Sequence, residues 1–240
     1  MKRVVLTSLF ALVGLTTPSV GLCADELKPN PTPVHWELQV KTTTPMRINA
    51  DGRNYWYIIY TVVNNTGEDV PFHPDIVRAN EIETETPDEV ALKSTQATSS
   101  LTIDPAIVGP NMRLYESIRS RHAKTHPLLV TPVNAIGKLK QGADNAVTSV
   151  AIFPELDPKV SRFTIYFGGM SGERIIRPNP LYDAKAAAAA KARGAKDDDP
   201  ALQRVFVLQK SLAMPYTLPG DVNSRRAATP VLGKMEWVMR

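Results

Sequence analysis

A single run of aromatic and β-branched residues constrains the fold of this chain more than any other feature of its sequence. Residues 55–63 read YWYIIYTVV and lead directly into Asn64, Asn65, Thr66 and Gly67. Side chains of these types fit the pleated surface of a sheet, whereas Asn and Gly favour a turn because they tolerate positive φ. The run therefore predicts a central β-strand that ends in a tight turn.

Further strands are predicted where apolar and polar residues alternate. Such patterns occur at residues 34–41, 147–153, 162–167, 205–208 and 235–239. Asp51 and Gly52 predict a hairpin turn ahead of the aromatic run. Six strands joined by loops rich in Pro and Gly predict an all-β sandwich or barrel, as one domain over residues 34–240. The expected core comprises Trp36, Tyr57, Ile59, Val150, Ile152, Phe163, Ile165, Val207 and Trp237.

Two regions depart from this pattern. Residues 71–141 contain seven prolines, so they predict no long helix, only short extended pieces at residues 75–78, 90–94 and 113–118. Residues 182–196 are rich in Ala, a strong helix former, and almost lack large apolar side chains. They predict a solvated, partly helical insertion at about residues 178–200.

The first 24 residues have the three regions of an export signal. Lys2 and Arg3 precede a largely apolar run, and small residues around Pro18 lead to an expected cleavage after Ala24. The apolar run is shorter than the roughly 20 residues that span a bilayer, which favours a cleaved signal over a retained anchor. Processing as a lipoprotein, with a lipid on Cys23, is the alternative to cleavage after Ala24. We expect a periplasmic or secreted protein, with residues 25–33 as an extended, Pro-rich leader.

Cleavage would remove the one cysteine of the chain and lower its net charge from +4 to +2. A chain without cysteine forms no disulfide, thiolate nucleophile or cysteine-ligated metal centre. The small net charge and the export signal both argue against a nucleic-acid partner. No cofactor and no membrane span beyond the signal are predicted, and the oligomeric state stays open.

Two short motifs carry a resemblance to a known class of domains. The first is TVVNNTG at residues 61–67, and the second is LKQG at residues 139–142 followed by VAIFP at 150–154. Together they resemble bacterial extracytoplasmic immunoglobulin-like domains. The resemblance implies an all-β, immunoglobulin-like β-sandwich, here with long loops and a short Ala-rich helical insertion. Many such domains are adhesion, assembly or binding modules.

Catalytic or metal-binding signatures are sparse. His122 and His126 are four residues apart, a spacing that on a helix places both imidazoles on one face. Such a pair could bind zinc or copper, with Asp75 or Glu116 as a third ligand. The competing interpretation is two solvated histidines in a polar loop. Glu155 and Asp157 could form a glycosidase pair, or they could cap a loop between Pro154 and Pro158.

Two hypotheses for the function follow. The first is an exported, non-enzymatic binding or assembly module of the cell envelope, whose protein partner binds an exposed sheet edge or the long middle loop. The second is a periplasmic metal-binding protein or metal-assisted hydrolase that uses His122 and His126.

Overall fold

Strands make up most of the ordered elements of this chain. The computed structural model describes residues 36–82, 100–196 and 199–240. The predicted signal, the Pro-rich leader and the extended piece at residues 90–94 lie outside the described residues. In chain order the elements are β1 (Gln39–Thr42), β2 (Met46–Ala50), β3 (Arg53–Val63), β4 (Val70–Phe72), β5 (Asp75–Ile82), β6 (Ser100–Pro105), α1 (Met112–Arg121), β7 (Leu129–Val130), β8 (Gly137–Leu139), β9 (Val147–Pro154), β10 (Val160–Gly168), β11 (Arg174–Pro178), α2 (Ala184–Ala192), β12 (Val205–Thr217), β13 (Val231–Leu232) and β14 (Glu236–Met239). The prediction of a mainly β protein is confirmed.

The aromatic run forms β3, the central strand of the first sheet. The strand order is β1, β3, β9, β7, and β2 also pairs with β3. The β2–β3 hairpin turns at Asp51 and Gly52, which both adopt positive φ, as the sequence predicts. After β3 the chain turns through Gly67 at φ +100°. The predicted turn residues therefore lie where the backbone adopts positive φ.

The second sheet has the order β11, β12, β10, β5, β6, with β13 and β14 also paired to β12. A separate two-stranded ribbon joins β4 to β8. The predicted strands at residues 147–153 and 162–167 are confirmed as β9 and β10. The predicted strand at residues 205–208 is the start of the much longer β12.

The main hydrophobic core combines side chains from both sheets. One face of β3 contributes Trp56, Ile58, Tyr60 and Val62, and the second sheet contributes apolar side chains of β5, β10 and β12. Phe163 stacks on Tyr216 with ring centroids 5.2 Å apart. Burial raises the pKa of Tyr60 to about 12, so its hydroxyl stays neutral. This core explains why β3 carries bulky side chains on the face that meets the second sheet.

The opposite face of β3 packs against a helix instead. Tyr57 and Ile59 form a second cluster with Val150 and Ile152 of β9 and with Leu114, Tyr115 and Ile118 of α1. The extended piece predicted at residues 113–118 is therefore wrong, because this segment lies inside α1. The Asn111 side chain accepts from the backbone N–H of Arg113 at the start of the helix. The prolines predicted to forbid helix lie outside its ten residues.

Three residues of the expected core are not fully buried. Val207 is 59% exposed, which contradicts its predicted burial. Its part of β12 pairs only with β11, so no second sheet covers it. Trp36 and Trp237 are half-buried and pack on the margin of the main core.

Helix α2 lies in the predicted insertion. The Asp183 carboxylate accepts from the N–H of Ala186 at 2.7 Å and begins the helix. The insertion is predicted to be solvated, and in the structure Ala187 and Ala190 of this helix are buried. Alanine allows close approach, and α2 contacts the short turn Pro200–Leu202. No helix in the described part of the chain is long and apolar enough to cross a membrane.

The two motifs that resemble immunoglobulin-like domains meet in space at Asn64. This buried residue donates from its side chain to the carbonyls of Glu68 and Leu139, at 2.9 and 2.8 Å. Its Oδ1 accepts from the Gln141 side chain at 3.0 Å. The turn after β3 is thereby fixed to the segment that follows β8.

Candidate functional site

The two candidate metal ligands lie together at the end of α1. His122 caps the helix, and its N–H donates to the carbonyl of Ile118. The His122 and His126 rings pack edge to face, with centroids 5.8 Å apart. His122 Nε2 and the Tyr57 hydroxyl are 2.9 Å apart. Both histidines are half-buried.

A third metal ligand does not join this pair. Glu116 lies on α1 and pairs with Arg119 at 3.2 Å, and Asp75 begins β5 in the second sheet. In the described residues no three His, Cys, Asp or Glu side chains come close enough together to hold a metal ion. Burial, together with the nearby His126 and Arg121, lowers the pKa of His122 and favours neutral imidazole.

A groove lined by arginine begins beside Tyr57. One compartment has a volume of about 310 Å³, with Met46, Arg47, Trp56, Arg121 and Arg226 in its wall. A second compartment of about 460 Å³ shares Arg47 and Arg226 with the first. We call these two compartments the arginine groove. No sequence pattern predicts this groove, because its arginines come from three distant segments of the chain.

Contacts with neighbouring side chains and backbone fix the positions of Arg47 and Arg121. The Arg47 guanidinium lies over the Trp56 ring, 4.5 Å from its centroid, and pairs with Glu155 at 3.2 Å. Arg121 donates to the Arg47 carbonyl at 3.0 Å and to the Tyr57 hydroxyl at 3.4 Å. Side chains fixed in this way lose less entropy when they bind a ligand.

The carboxylates of Glu155 and Asp157 have different surroundings and different partners. Glu155 lines the larger compartment and pairs with Arg47. Asp157 accepts from the backbone N–H of Lys159 at 2.8 Å. Asp157 therefore caps the loop, which is one of the two roles that the sequence left open.

A second exposed feature is the pair of strands β11 and β12 at one edge of the second sheet. Ile176, Val205 and Val207 lie on one face of this pair and are 67%, 47% and 59% exposed. We call residues 174–178 and 205–208 the apolar ribbon. Its base is held by Lys210, whose ammonium bonds to Glu37 and Glu173. Exposed apolar surface of this kind commonly marks an interaction site.

One edge of the apolar ribbon has no strand partner among the described residues. The carbonyl of Glu173 accepts from the backbone N–H of Lys210 on β12, and the N–H of Asn179 donates to the carbonyl of Arg204, just before β12. Since bonding alternates along an antiparallel pair, the N–H and C=O groups of Arg174 and Ile176 point away from β12. Arg174 and Arg177 are exposed on the same strand. The edge therefore combines open hydrogen-bonding groups with apolar and basic side chains.

No protein-family model, curated protein or solved structure matches this chain.

Proposed function

We propose that this protein is an exported, non-enzymatic binding or assembly module of the cell envelope, built as an immunoglobulin-like β-sandwich. The apolar ribbon with its open edge carries the proposal. The signal-like residues 1–24 support export to the periplasm or the exterior. The meeting of the two motifs at Asn64 supports the immunoglobulin-like assignment.

The partner is an extended segment of another envelope protein, which adds as a strand to β11. Main-chain hydrogen bonds to Arg174 and Ile176 provide affinity in this mode of binding, and alternate side chains provide specificity. The apolar face at Ile176 and Val207 takes apolar side chains of the partner. Arg174 lies on the same face as Ile176 and Arg177 lies on the opposite face. Each guanidinium favours an acidic side chain of the partner, because opposite charges fix register and speed association.

A displayed library of linear peptides tests this proposal. Selection on the purified protein should enrich sequences that combine apolar residues with acidic ones. Binding of these peptides should fall by about tenfold or more in Ile176→Asp, because the substitution places a carboxylate among the apolar and acidic side chains of the bound strand. Hydrogen exchange at the Ile176 amide should slow when peptide binds.

Ile103→Asp is the matched control. Ile103 is 53% exposed on β6, at the other edge of the same sheet. Its substitution should leave peptide binding unchanged. Equal loss in the two variants, or peptide binding without protection of the Ile176 amide, would overturn the assignment to β11.

The metal hypothesis stays a prediction with a test of its own. Zinc or copper that remains at one equivalent after dialysis, and is lost in His122→Gln, would establish a site. Metal retained equally by this variant would show that His122 is not a ligand.

A further inference from the structure

We propose that the arginine groove binds a small organic anion, a carboxylate or a phosphate monoester with an apolar body. This site is separate from the ribbon, so it does not depend on the proposed partner. Its two compartments, about 310 and 460 Å³, have the size of sites for small ligands. Three guanidinium groups and one carboxylate, Glu155, line it within the described residues.

The charge arrangement favours an anion over a neutral ligand. Arg47 is partly neutralised by Glu155, but within the described residues Arg121 donates only to neutral acceptors. Arg226 is exposed and lines both compartments, and among the described residues no hydrogen bond or ion pair engages its guanidinium. Two cationic groups therefore keep donors for a ligand. Arginine binds carboxylate and phosphate in bidentate geometry, which suits both ligand classes.

Apolar side chains also line the groove, and they favour a ligand that has an apolar part. Met46, Trp56 and Pro230 line the smaller compartment, and Leu156 and Pro158 line the larger one. Trp56, Leu156 and Pro230 are already buried, so an inorganic anion would leave the half-buried Met46 and Pro158 in contact with water. A ligand with an apolar body covers the surface and gains the hydrophobic contribution as well.

Two buried donors in the wall of the groove also favour an anionic ligand. Trp56 Nε1 and Arg47 Nε have no hydrogen-bond acceptor among the described residues. Trp56 itself is only 2% exposed. Buried donors without an acceptor cost folding free energy, and such groups are concentrated at functional sites. A small shift of either side chain on ligand binding would supply an acceptor from the anion.

Titration of the purified protein with benzoate, phenyl phosphate and benzamide tests the site. We expect saturable changes at the Trp56 indole N–H resonance with one or both anions, measured by ¹H–¹⁵N NMR at constant ionic strength. The relative affinity of the two anions tells which class the groove prefers. Neutral benzamide has the same ring without the charge, and it should cause no saturable change.

Arg226→Gln should weaken anion binding by about tenfold, because it removes one charge-assisted contact. Arg226 is exposed, so folding should be unaffected. Arg193→Gln is the matched control, since Arg193 is also exposed but lies at the end of α2. Equal effects of the two substitutions, saturation by benzamide, or the absence of saturation with both anions would each overturn the proposal.

Discussion

At the scale of single residues, buried polar side chains connect parts of the chain that are distant in sequence. Arg78 is 1% exposed on β5. It donates to Asp104 at 2.6 Å and to the Pro154 carbonyl at 3.0 Å. Burial lowers its pKa, and Asp104 opposes that shift. The alternation in β5 decides this placement, because Ile76, Arg78 and Asn80 share one face of the strand.

His122 provides a prediction at this scale. Its pKa in the folded protein is lowered by burial, with His126 and Arg121 adding to the effect. The unfolded chain therefore takes up a proton first as the pH falls below about 6.5. Stability contributed by neutral His122 should be fully present above that pH and should decline below it.

Urea unfolding at pH 7.5, 6.5 and 5.5 measures this dependence. His122→Gln should flatten the curve over this range, and Ser117→Ala, on the exposed side of α1, should leave it unchanged. A variant curve as steep as that of the original protein would assign the dependence to other groups.

At the scale of elements, α1 shows how a helix forms between two strand-rich regions. Leu114 and Ile118 are four residues apart and lie next to Tyr115, so one stripe of the helix is apolar. This stripe covers the face of β3 and β9 that the second sheet does not reach. The sequence contained the stripe, but the neighbouring prolines favoured an extended interpretation.

Ile118→Ala tests the contribution of this contact. Ile118 is fully buried, so its truncation should reduce the free energy of unfolding by about 2–5 kcal/mol through lost burial and an unfilled cavity. Ser117→Ala on the exposed side should change it by less than about 0.5 kcal/mol. Denaturant unfolding of both variants gives the comparison, and equal effects would mean that α1 packs differently.

At the scale of the whole molecule, the two proposed surfaces belong to different sheets. The arginine groove starts from β2 and β3 of the first sheet, and the apolar ribbon is part of the second. The two surfaces share no residue. Effects at sites without common contacts usually add.

Independence of the surfaces is therefore expected. Ile176→Asp should leave anion binding in the groove within about twofold of the original affinity, and Arg226→Gln should leave peptide binding equally unaffected. Isothermal titration of each variant with both ligands measures this. Reciprocal losses would show that the two surfaces are coupled.

Local sequence patterns determined the strands β3, β9 and β10, the hairpin turn at Asp51 and the mainly β class, because alternation and turn chemistry act between near neighbours. Only the tertiary structure decided that Val207 is exposed, since the end of β12 is left without a facing sheet. It also assembled the arginine groove, because Arg47, Arg121 and Arg226 meet only after three segments pack together. Burial and charge clustering depend on contacts between distant residues, and no short pattern records those contacts.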